Sequence, residues 1–192
     1  DGSVPILTKA VKLDAGQGAL TRGTVLGKIT KAVGEIVGPD TAKGTIGTVV
    51  LGKAAKLGTY TLTCTTATDT GVAAVFKAVD PDGMRLDDAT AGIPYVGPIN
   101  FTITEGTGFD VGDEFSIPVI AGSGQYKIVN SANVDGSQDA DCILADDVDT
   151  ATSVVAVAYT SGHFNRKALV FGGADTADMH EAKLRELGIF LS

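Results

Sequence analysis

The chain has 192 residues and a mass of 19.5 kDa, enough to bury a core without metal or disulfide staples. A hydrophobic fraction of 44% excludes a disordered polymer. The net charge of −8 argues against nucleic acid, which needs a basic face, and no apolar run nears the roughly 18–20 residues that cross a bilayer.

Twenty-five glycines, no tryptophan, 7 Phe and 4 Tyr favour β structure with many tight turns. Cys64 and Cys142 are too few for a disulfide framework. Cys64 shares the parity of Tyr60 and Leu62 and reads as a small buried side chain. With no basic-then-apolar leader, a soluble protein made in a reducing cytosol is expected. Charge is uneven along the chain. Residues 1–56 hold 8 Lys and Arg against 4 Asp and Glu, residues 57–128 hold 3 against 9, and residues 129–192 hold 4 against 10. A basic front on an acidic body suggests a segment that meets something acidic, or simply a solvated region with scattered lysines.

In chain order, Val4, Pro5, Ile6, Leu7, Val11 and Leu13, with Lys9 and Lys12 between them, run into Asp14-Ala15-Gly16-Gln17-Gly18. So few anchors before a Gly-rich stretch make either a mobile arm or an edge strand, and the arm is the expectation. Short strands follow at Thr24–Thr30, Ala32–Val37 and Ile46–Leu51. From Leu57 the strands lengthen: Thr59–Thr66, Val72–Val79, Ile99–Thr104 and Glu114–Ile120. Turn chemistry such as Asp80-Pro81-Asp82-Gly83 separates them. The alternation predicts a small β-sandwich-like insert over 57–120.

Strand candidates then resume at Tyr126–Asn130, Cys142–Ala145, Ser153–Thr160 and Phe164–Phe171. One helix follows, capped by Asp175 or Thr176, with Asp178 and Glu181 at its positive end, Lys183 and Arg185 at the other, and Gly188 as its stop. Ala177, His180, Leu184 and Leu187 share a face, and Ile189, Phe190 and Leu191 form an apolar tail that must be buried. The predicted fold class is mainly β (α+β): a β-rich host domain over 20–56 and 121–192 with one C-terminal helix, an arm over 1–19, and the insert.

Motifs for chemistry fall short. Gly47-Thr48-Val49-Val50-Leu51-Gly52-Lys53 has the spacing of a phosphate loop but continues into Ala54, without the magnesium-binding hydroxyl, and toward a strand rather than a helix. His163, placed at a turn between strands, and His180, on the helix, could each be a base, but a turn donor and a packing residue are the simpler readings. Ser161 lacks a nucleophile elbow. Asp135, Asp139, Asp141, Asp146, Asp147 and Asp149 miss calcium-loop spacing and surround the apolar Cys142-Ile143-Leu144. Asn100-Phe101-Thr102 matches a glycosylation acceptor, which has no meaning without secretion. No catalytic residue, metal, cofactor, small-molecule substrate, nucleic acid or membrane partner is expected.

Four segments carry a likeness: Arg22 to Ile29 (RGTVLGKI), Ala140 to Asp149 (ADCILADDVD), Val157 to Leu169 (VAYTSGHFNRKAL) and Leu184 to Leu191 (LRELGIFL). In this order they resemble the tailed-phage head decoration proteins of the lambda type. The resemblance implies a homotrimer on the outside of the expanded capsid, at three-fold and quasi-three-fold positions. Such a trimer cements the shell against DNA pressure, and its N-terminal arms order on docking and extend a sheet of the major capsid protein. It further implies a chain made in the host cytoplasm and carried on the virion surface. The arm residues named above would then bind the capsid, while Phe164, Leu169, Phe171, Ile189, Phe190 and Leu191 are candidates for either trimer contact or the subunit's own core. The insert departs from the smallest members. The alternative is a surface-exposed β-sandwich adhesion module binding carbohydrate or protein through the insert, which the absent leader and the few aromatics disfavour.

Overall fold

The computed structural model describes residues 4–152 and 154–192. Strands β1 (Leu7–Leu13), β2 (Ala19–Leu20) and β3 (Val25–Lys28) open the chain. Next come β4 (Lys31–Val33), β5 (Gly44–Ile46), β6 (Val50–Leu51), β7 (Gly58–Thr66), β8 (Val75–Val79), β9 (Ala89–Thr90), β10 (Ile99–Asn100), β11 (Ile103–Glu105) and β12 (Glu114–Ala121). The chain continues with β13 (Tyr126–Ile128), β14 (Ala140–Leu144), β15 (Val148–Asp149) and β16 (Val154–Phe164). A 3-10 turn at Arg166–Ala168, helix α1 (Ala177–Glu186) and β17 (Ile189–Leu191) complete it. The protein is mainly β with one C-terminal helix. Its contacts divide into two units, one running to Thr30 and resuming at Gly122, the other Lys31–Ala121.

In the first unit, β1, β13, β3, β14 and β16 follow one another around a sheet that β1 closes by pairing with β16, giving a five-stranded barrel. Alternation divides its side chains between two cores. Leu26, Cys142 and Leu144 point inward with Val11, Leu13 and Tyr126. Their neighbours Val25 and Ile143 point outward, where Leu184 of α1 and Ile189 of β17 cover them. Cys142, Ile143 and Leu144 are therefore all buried, a strand covered on both faces. The inward Cys142 thiol is pushed up to about 12 by burial, which leaves it a packing group.

The second unit is a five-stranded antiparallel sheet, ordered β4-β12-β7-β8-β9, with two short ladders, β10–β6 and β11–β5. Tyr60, Leu62 and Cys64 of β7 face inward, as their parity predicts, as do Phe115, Ile117 and Val119 of β12. The Phe76 ring stands edge-on to Phe109 at 5.0 Å, and Phe115 completes the cluster.

The structure changes several sequence expectations. Residues 31–56, read with the host domain, pair inside the second unit: β4 with β12, β5 with β11 and β6 with β10. Its first residue is thus Lys31 rather than residue 57, because the ladder partners of these strands lie at 99–121. The expected strand Phe164–Phe171 is the end of β16 followed by the 3-10 turn, so His163 lies within a strand and not at a turn. Thr176 occupies the N-cap position of α1 but makes no capping bond with its side chain, and Asp175 bonds elsewhere. Val50 and Leu51 of the phosphate-loop-like motif form β6, and the chain passes through a turn into β7.

Candidate docking surface

The leading segment lies along β16. Leu7 to Leu13 pair antiparallel with Ser161 to Val154, with an irregularity between Leu7 and Thr8, and Leu13 also meets Tyr126 of β13. Val11 is 2% exposed and Leu13 0%. The expectation of a mobile arm over 1–19 is therefore corrected for residues 7–13, while its residues 1–3 lie outside the described residues. Residues 7–13 are a barrel strand, because two inward apolar side chains and a full ladder outweigh the entropy of a free segment. Lys9 shares the inward parity and closes one end of this interior, donating to the Tyr126 hydroxyl at 2.9 Å and to Asp141 Oδ2 at 2.7 Å. Burial lowers its pKa, but the bonds to Asp141 and Tyr126 outweigh burial and hold the ammonium above the ordinary lysine range.

Ahead of β1 the segment stays against β16. Ser161 Oγ donates to the Pro5 carbonyl at 2.7 Å and Thr160 Oγ1 to that of Leu7 at 3.3 Å, while Ile6 and Leu7 remain 64% and 55% exposed. Val4 is half-buried and Pro5 exposed. Ile6 forms one wall of a groove of about 390 Å³ whose floor and far side are Tyr159, Phe164, Ile143 and Leu169, with Arg22 at the rim. Gly162 makes the wall possible. Its φ is +140°, and a Cβ there would stand 3.2 Å from the Phe164 ring and 3.3 Å from Ile6.

Of the six proposed contact residues, Ile189 is 0% exposed and has no surface left for a partner. That reading is corrected for Ile189, whose place is the core beneath α1. Phe164, Leu169, Phe171 and Leu191 pack against the same core and keep part of their surface. Phe190 stacks on His163 at 5.3 Å. Tyr159, Arg22 and Gly162 were not foreseen as site residues. Arg22 and Gly162 lie inside the quoted resemblance segments, as does Tyr159, but their convergence needs the barrel.

Asp175 accepts from the Ser131 N–H and hydroxyl, both at 2.6 Å, and lies 2.8 Å from His180 Nε2. The carboxylate thus stands between serine and histidine, so His180 is not a base aimed at a nucleophile; its ring stacks on Phe171. Within the acidic run Asp141 pairs with Lys9, Asp135 pairs with Lys127, Asp147 accepts from the Arg22 N–H and Asp149 from the Ala151 N–H. Among the described residues no three His, Cys, Asp or Glu side chains converge to hold a metal. All six aromatic residues of the second unit are buried, so it offers no exposed ring on which a sugar could stack.

The closed β-barrel thus buries its apolar side chains in two cores and leaves a mostly apolar groove beside its leading segment. The family model described as Bacteriophage lambda head decoration protein D matches residues 2–190, and the chain belongs to that family. It is accordingly a capsid decoration protein, found on the virion capsid surface, and not an enzyme. Comparison with curated proteins and with solved structures yields no match.

Proposed function

We propose that the chain works as a homotrimer on the outside of the expanded capsid, at three-fold and quasi-three-fold positions, and holds the shell against the pressure of packaged DNA. The observation that carries this reading is the family match over residues 2–190. The capsid contact is made by the segment ahead of β1, around Val4, Pro5, Ile6 and the exposed Leu7, which adds as a strand to a sheet of the major capsid protein. Val11 and Leu13 take no part, because drawing them out would expose two core side chains at about 1.5–3 kcal/mol each. The half-exposed Phe190 and Leu191 are assigned to the subunit contact.

One short segment binds weakly, since ordering costs about 1–2 kcal/mol per residue. Three on one trimer gain avidity of about 10²–10⁴ once the first has docked. Capsids that have not expanded present the wrong spacing and forbid simultaneous engagement. The test mixes the protein with undecorated expanded capsids of its own phage and images them, with light scattering for mass. Density at the three-fold positions and a particle near three times 19.5 kDa are expected, and removal of residues 1–6 abolishes decoration. A monomer at micromolar concentration, or normal decoration by the truncated chain, overturns the respective part.

A further inference from the structure

The groove beside the leading segment is lined mostly by apolar side chains, with Arg22, His163 and Asn165 among its polar members and no acidic residue. Arg22 supplies the charge. Its backbone N–H is taken by Asp147 Oδ1 at 2.7 Å, which fixes its place on the turn, but among the described residues its guanidinium has no partner. Lys9, Lys43, Lys56 and Lys127 are paired with carboxylates, so on a chain of net charge −8 Arg22 is the lysine or arginine that lines this groove with its charge still open to a partner. The volume of about 390 Å³ lies at the low end of roughly 300–1,000 Å³ for clefts that bury a small ligand, which suits one or two side chains.

We propose that this groove receives an apolar side chain from an extended segment of the capsid protein, and that a carboxylate beside that side chain pairs with Arg22. The proposal rests on the decoration reading and adds a second foothold to the strand contact, with Ile6 shared between the two. The apolar walls and the forked guanidinium select together: an apolar residue without the acid forgoes the charged bond, and an acid without the apolar residue leaves the cleft unfilled.

The test uses the full-length protein, undecorated expanded capsids of its own phage, and two substitutions on exposed positions. Arg22→Glu reverses the rim charge, and Ala168→Phe, on the 3-10 turn lining the groove, fills it. Both are expected to keep the wild-type mass and melting temperature and to lose at least tenfold in capsid affinity by co-sedimentation, while Arg22→Lys keeps most of the binding. Wild-type affinity in both variants overturns the groove and leaves the decoration reading standing. A change of mass on Ala168→Phe also overturns it, because the groove would then be filled by a second copy. Wild-type protein that does not bind capsids at all refutes the decoration reading itself.

Discussion

Asp175 is 4% exposed at its side chain and ties the loop carrying Ser131 to the first turn of α1. Burial by itself would raise its pKa. The Ser131 hydroxyl, His180 and the Ser131 N–H outweigh that and hold the carboxyl below the usual aspartate range. A depressed folded value means that the ionised form stabilises the fold. The contribution is complete above about pH 4, near the ordinary value of 3.8, and is lost as pH falls through the lower folded value. Asp175→Ala strands buried donors and should cost about 1–3 kcal/mol, with a smaller loss of stability between pH 5 and pH 2 than wild type in urea titrations. A second residue-scale case is Gly27 on β3, where a Cβ would stand 2.2 Å from the Ser137 carbonyl oxygen. That neighbour is backbone and cannot swing away, so Gly27→Ala should destabilise by about 1–3 kcal/mol or more in the same measurement.

Among the elements, β1 decides what the leading segment can do. Its ladder with β16 runs over seven residue pairs, and its inward side chains belong to the barrel core. Removing residues 1–6 leaves that strand whole, and the melting temperature should stay within a few degrees of wild type. Removing residues 1–14 takes away Val11 and Leu13, the Lys9 closure and one side of the barrel. Against a total stability of about 5–15 kcal/mol this loss is decisive, and the cooperative melt followed by circular dichroism should disappear. A stable 1–14 deletion would mean that the barrel closes without its first strand. The two truncations separate a docking segment from a structural strand, roles that the sequence joins in one stretch.

At the scale of the molecule, the two chain ends at which the first unit is interrupted are neighbours: Gly122 N–H donates to the Thr30 carbonyl at 2.9 Å. The first unit keeps its own two cores, and no strand of its barrel is contributed by residues 31–121. Excising 31–121 and joining Thr30 to Gly122 should therefore leave a folded barrel, checked by a cooperative melt and dispersed amide resonances. A molten product would show that the barrel depends on the residues removed. If the excised form also decorates capsids, docking belongs to the first unit, as the leading segment and the groove require.

Local patterning determined much of this protein by itself. Alternation placed β7 and β12 and the parity of Tyr60, Leu62 and Cys64. The charge gradient and Gly188 bounded α1, and short ordered segments such as VAYTSGHFNRKAL carried the family. These features depend on neighbours within a few residues, where side-chain period and turn chemistry act. Only the tertiary structure decided what depends on partners distant in sequence. Leu7–Leu13 is a strand rather than an arm because Val154–Ser161 is there to receive it. Residues 31–56 join the second unit because their ladder partners lie at 99–121. Ile189 is core because α1 folds back over the barrel, and the groove exists because Ile6, Arg22, Ile143 and Phe164 meet from four chain segments. A pairing edge looks the same in sequence whether its partner belongs to the same chain or to a capsid, and only the fold shows which edges are already taken.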